Sequence, residues 1–66
     1  METENKFKLR EVRKSRNVSQ LDLAKRLGVH NITILRWEQG VTDPSIEHIF
    51  QICEELKTTP NELFGF

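Results

Sequence analysis

Few side chains in this chain are placed for bond-making chemistry. His48 and Cys53 have no second cysteine or histidine pair beside them, so they do not make a zinc site. Glu54 and Glu55 read as a solvated helix face rather than a carboxylate dyad. Cys53 falls on an apolar stripe and reads as a small core filler, not a nucleophile. No glycine-rich phosphate loop or nucleophile motif is present. What remains is a set of hydrogen-bond donors and cations. Residues 1–36 carry nine basic residues against four acidic ones, a net of +5, and residues 37–66 carry the opposite, −5. A formal total of zero therefore hides a dipolar chain, with one side suited to a polyanion.

Sixty-six residues make one small domain. The chain has no room for a separate ligand-binding or cleavage domain, and a single domain over residues 1–66 is expected. One cysteine permits no internal disulfide and points to a reducing, cytoplasmic setting. No apolar run is long enough to span a membrane, and Met1 to Leu9 lack the apolar core of a signal peptide. A multidomain enzyme, a secreted disulfide scaffold and a membrane protein are excluded. No enzyme activity, cofactor or metal is expected.

The elements that must position the donors all read as helices. Phe7, Leu9 and Val12 lie among basic residues in a first helix that breaks at Arg16–Val18. Ser19 and Asp22 form the start pattern of a second, with Leu23, Ala24 and Leu27 on its inner face and Gly28 as its stop. His30 or Asn31 opens a third, which carries Ile34 and Trp37 three apart and ends at Gly40. Ser45 caps a fourth, where Ile46, Ile49, Phe50, Cys53 and Leu56 have the rhythm of a buried stripe. Thr59, Pro60 and Glu62 start a fifth. No stretch alternates with period two for long enough to form a strand.

The informative segment is Gln20–Gln39. Two helices joined through Gly28-Val29-His30 must cross steeply and pack closely at the turn. Ala24 provides the small inner side chain and Gly28 the positive φ. This set resembles the helix-turn-helix. The wider pattern Ser19-Gln20, Leu23-Ala24, Leu27-Gly28-Val29, Thr33-Ile34, Arg36-Trp37-Glu38, Gly40, Pro44-Ser45, Leu56 and Leu63-Phe64 resembles the Cro/C1-type (XRE) family of phage and bacterial repressors, over roughly Leu9 to Phe64.

The resemblance implies an all-α, compact five-helix bundle, a lambda repressor-like DNA-binding domain with its helix-turn-helix core at residues 20–39. It implies a sequence-specific transcriptional regulator, in the first place a repressor, that binds double-stranded DNA as a homodimer on a palindromic operator. The third helix then lies in the major groove. Asn31, Ile32, Thr33, Leu35 and Arg36 become base contacts: Arg36 matches guanine O6 and N7, Asn31 matches adenine N6 and N7, and Ile32 and Leu35 suit thymine methyls. Gln20, Lys25, Arg26, His30, Gly40 and Thr42 become backbone contacts, with Arg10, Lys14 and Lys6 beside them. His30 also reads as an imperfect helix cap. Arg13 and Glu38 match the family's ion pair between the first helix and the end of the third. The chain departs from the pattern at His30, at Leu35, and at Val41-Thr42-Asp43, where basic residues are common. Leu63, Phe64 and Phe66 cluster as a candidate dimer surface, or Leu63 and Phe64 close the monomer core and only Phe66 is spare. The alternative class is an antitoxin or protein-interaction module, whose acidic C-terminal half holds a protein partner.

Overall fold

In the protein's structure, a computed structural model that describes residues 7–65, there are five α-helices: α1 (Leu9–Ser15), α2 (Gln20–Leu27), α3 (Asn31–Gln39), α4 (Ile46–Leu56) and α5 (Pro60–Phe64). The starts follow from local chemistry. The Ser19 hydroxyl accepts from the Asp22 N–H at 3.0 Å, Ser45 from His48 at 3.2 Å and Thr59 from Glu62 at 3.2 Å. Each satisfies one of the N–H groups that a helix start leaves without a partner. α1 and α3 are the exceptions: Lys8 and His30 stand at their N-cap positions and make no side-chain bond to the helix.

Four of the five helices end on a residue in the left-handed region. Gly28 (φ 73°) turns the chain from α2 into α3, and Gly40 (φ 79°) ends α3. Lys57 closes α4 in the same region at φ 55°, without glycine's freedom.

α2 packs on α3 and α4, α1 packs on α3 and α5, and α5 packs on α4. Leu9, Leu23, Ile34, Ile52, Leu56 and Leu63 are fully enclosed, one or two from each helix. Trp37 is buried among them, and its ring sits against the His48 imidazole at 5.1 Å between centroids. Arg16 reaches from the end of α1 to the C-terminus of α4. Its Nε donates to the Leu56 carbonyl at 2.7 Å, and its Nη2 to that of Lys57 at 3.1 Å. These are carbonyls that the helix cannot satisfy itself, at the negative end of its dipole.

One expectation from the sequence fails. On α4 the inward face is Ile49, Ile52, Cys53 and Leu56, whereas Ile46 and Phe50 point to solvent, 68% and 59% exposed. The apolar residues cover more than half of this helix, so their spacing does not decide which edge turns inward. At the C-terminus the core takes part of the candidate dimer cluster. Leu63 is fully buried, and Phe64 packs on Phe7 at 5.0 Å. Phe66, like Lys6, lies outside the described residues.

Replacing Lys57 with glycine removes a left-handed Cβ and leaves the carbonyl bonded to Arg16 in place. The variant is expected to gain about 1 kcal/mol, a rise in melting temperature of roughly 4–8 °C for a domain of this size. Thermal unfolding followed by circular dichroism tests this, and an unchanged or lower midpoint refutes it.

Candidate nucleic-acid interface

Ile34 and Trp37, three residues apart, are buried on the inner face of α3, and Glu38 beside Trp37 is bonded to α1 and α2. One remaining side of the helix is turned outward. Asn31, Ile32 and Arg36 are exposed, Ile32 by 44%, while Thr33 and Leu35 are half-buried at the edges. The exposed face thus combines an amide, a guanidinium and an aliphatic side chain. Arg36 has no partner among the described residues. A planar fork of five N–H donors left unpaired is fit for bidentate recognition of paired acceptors.

The residues around this face are arranged by a buried network. Arg13 Nε donates to Glu38 Oε2 at 2.6 Å and Nη2 to Oε1 at 3.3 Å; the two side chains are 8% and 3% exposed. Arg13 Nη1 donates to the Val18 carbonyl at 2.8 Å. Gln20 Nε2 donates to Glu38 Oε1 at 2.9 Å. One carboxylate at the end of α3 thereby holds the guanidinium of α1 and the amide that opens α2. No local pattern in the sequence shows the Gln20–Glu38 bond, because it joins residues eighteen apart in two helices.

Above this network lies a concavity of about 400 Å³ between α1, α2 and α3, bordered by Arg10, Lys14, Gln20, Leu35 and Gln39. Arg10 and Lys14 are exposed and unpaired among the described residues, as is Lys25 on α2. Arg26 is differently placed. Its Nη2 donates to Asp22 Oδ2 at 3.0 Å, and its Nη1 lies 3.4 Å from the Glu55 carbonyl and 3.8 Å from Glu55 Oε1. It ties α2 to the end of α4. His30, Gly40 and Thr42 are exposed at the two ends of α3. Burial pushes the Cys53 thiol up from its usual range, which disfavours the thiolate a nucleophile needs. Among the described residues no group of three His, Cys, Asp or Glu is disposed to hold a metal ion.

A tight helix–turn–helix with one exposed, polar helix defines the class of this protein. Residues 9–63 match the model of the family described as Helix-turn-helix. The chain is 39% identical over 59 residues to an HTH-type transcriptional regulator of Methanocaldococcus jannaschii, which covers 89% of both chains. It is 32% identical to repressor protein C2 of Salmonella phage P22, covering 85% of this chain and 26% of the longer repressor. The structure of the phage repressor in complex with a synthetic operator superposes with a TM-score of 0.77 over 85% of each chain. The solution structure of that repressor's DNA-binding domain gives a TM-score of 0.81 over 96% of this chain and 84% of that one. The chain belongs to the helix-turn-helix family, in its Cro/C1 branch, and has the lambda-repressor-like fold.

Removing the Glu38 charge leaves the Arg13 guanidinium buried without its counter-ion. Glu38→Gln is expected to cost about 3–5 kcal/mol, a large part of the ~5 kcal/mol at the low end for a small domain. Urea unfolding measures it. A midpoint equal to that of the parent would show that the pair does not matter to the fold.

Proposed function

We propose that this protein is a sequence-specific regulator of transcription that reads duplex DNA by laying α3 in the major groove. The observation that carries the reading is the outward face of α3, where Asn31, Ile32 and Arg36 stand exposed on a helix fixed from behind by Ile34 and Trp37. The likeness to a phage repressor solved with its operator supports it. Arg36 pairs with guanine O6 and N7, and Asn31 with adenine N6 and N7. Ile32, with Leu35 and Thr33 at the edges, packs on thymine methyls.

The backbone is gripped on both sides of the groove. Gln20 offers an amide whose orientation Glu38 fixes, and Lys25, Arg10 and Lys14 supply charge. His30, Gly40 and Thr42 approach the phosphates at the ends of α3. Arg26 serves chiefly to join α2 to α4, since both its terminal nitrogens are engaged. One recognition helix reads only a few base pairs, so a homodimer on a palindromic operator completes the site, with half-sites about 34 Å apart.

Selection from random duplexes supplies the operator, and Arg36→Ala then tests the reader. The variant is expected to lose about 1–3 kcal/mol of discrimination at one position while retaining general affinity. Gel shifts against operator and scrambled DNA measure this, and equal discrimination by variant and parent sinks the assignment. Phosphate binding is checked by titration at several salt concentrations. Where the replaced cation touches a phosphate, Lys25→Ala or Arg10→Ala should make the slope of log affinity against log salt shallower by about 0.9. Gln20→Ala should leave the slope unchanged, because the amide carries no charge.

A further inference from the structure

The imidazole of His30 does no structural work among the described residues. The residue stands at the N-cap position of α3 with an extended backbone, φ −78° and ψ 150°. At the same position α2, α4 and α5 carry Ser19, Ser45 and Thr59, whose hydroxyls each accept a first-turn N–H. The His30 ring bonds to nothing in its helix and has no partner among the described residues. The turn holds without it, because the His30 carbonyl takes the Thr33 N–H at 2.9 Å. The side chain is exposed at the end of α3 where Asn31 and Ile32 are exposed as well. Histidine differs from the hydroxyl caps in one property: imidazole gains or loses a proton between about pH 5 and 8. We infer that His30 couples DNA binding to the uptake of a proton, its imidazole becoming the cation that a backbone phosphate meets at the start of α3. The inference deepens the reading of α3 as the groove-binding helix and rests on it.

The charges around the ring set the direction of the coupling. α3 has no acidic residue in its first turn, and Arg36 lies in its last. Its own acid, Glu38, is eight residues on, about 12 Å along the axis, and is held by Arg13 of α1. α2, which packs on α3, ends in Lys25 and Arg26, and its acid Asp22 is bonded to Arg26. Arg26 also faces Glu55 of α4. The second α1 acid, Glu11, borders a concavity with Phe7 and Lys8. The other described histidine, His48, lies against the Trp37 ring. No carboxylate of any element is paired with His30 among the described residues. The N–H groups of an uncapped helix start add the positive end of the dipole. The free protein thus offers a charged imidazole no counter-charge.

DNA supplies it. A hydrogen bond between an imidazolium and a phosphate is roughly twice as strong as one between neutral groups. The protonated ring is therefore favoured more in the complex than in the free protein, and the complex binds more protons. By linkage, affinity rises as pH falls through the histidine range. A lysine at this position would grip a phosphate at any pH, and a serine would cap the helix at any pH. A histidine holds the phosphate as a cation only towards acid pH. A ring that stays neutral and donates from one nitrogen would leave binding independent of pH.

The test counts protons. Selected operator duplex is titrated calorimetrically into the full chain at about pH 6.5, in two buffers of different ionisation enthalpy. Wild type is expected to take up a fraction of one proton per chain, His48→Gln as much, and His30→Ser none. His30→Ser supplies the missing cap and keeps the fold. Wild-type affinity is expected to rise on the order of tenfold from about pH 8 to about pH 5.5. The slope of log affinity against log salt should be steeper by about 0.9 at the lower pH. In His30→Ser both differences vanish. Wild-type binding without proton uptake overturns the inference, and so does uptake that persists in His30→Ser. If wild type binds operator and scrambled duplex equally, it is the groove-reading proposal that fails, and the same proton count on the scrambled duplex still decides about His30. If no duplex is bound, both fail.

Discussion

The bond on which the rest depends is the buried pair between Arg13 and Glu38. Its partners lie twenty-five residues apart, in helices that otherwise touch little. Enclosing two charges is costly, and a buried ion pair gives no guaranteed gain over two well-packed apolar residues. Its contribution here is directional. A guanidinium meets a carboxylate with two nearly parallel N–H···O bonds only in one relative orientation. The pair therefore fixes how α1 lies against the end of α3. The third Arg13 bond, to the Val18 carbonyl, fixes the α1–α2 corner, and Gln20 brings the start of α2 to the same carboxylate. Three helices are registered against one another at a single point immediately behind the exposed face of α3.

The uneven distribution of charge along the chain thus has two uses. Arg13, Arg16 and Arg26 work inside the molecule. The first is paired with Glu38, and the other two reach carbonyls in the last turn of α4, where the helix dipole is negative. Arg10, Lys14, Lys25 and Arg36 are left facing solvent. The basic half of the sequence is both the clamp that holds the acidic half and the surface that remains once the clamp is made. A count of charges cannot separate these two groups. The hydrogen-bond geometry does.

Much of the fold was legible in the residues because its signals are local. Ser19, Ser45 and Thr59 announce helix starts by chemistry that acts within three residues, and Gly28 and Gly40 announce stops by a steric exemption of their own backbones. Ile34 and Trp37 give the inner face of α3 by spacing alone. What the residues did not reveal shares one physical cause. Whether Ile46 and Phe50 or Ile52 turn inward depends on where α2 and α5 lie, and no residue of α4 encodes that. The fate of Phe64 is set by Phe7, fifty-seven residues earlier. The role of Arg26 is decided by Glu55 in the same way. Nonlocal partners choose among local options that the sequence leaves equivalent.

The helix that faces outward breaks a local rule at its start. α1 and α3 both lack a side-chain N-cap bond. α3 has Ile34, Trp37 and the paired Glu38 on its inner side, and the exposed His30 where α2, α4 and α5 have hydroxyls. A serine or threonine there would satisfy a first-turn N–H and add roughly 0.5–2 kcal/mol. Local rules that are broken without local compensation mark places where something other than stability selects the residue. Here the same helix also exposes an isoleucine and an arginine that has no partner among the described residues. A stabler α3 would have a capped start and a wider buried face, and every residue turned inward for that purpose would be one fewer to meet a base. The constraint is geometric: nine residues give about two and a half turns, and the core already takes one side.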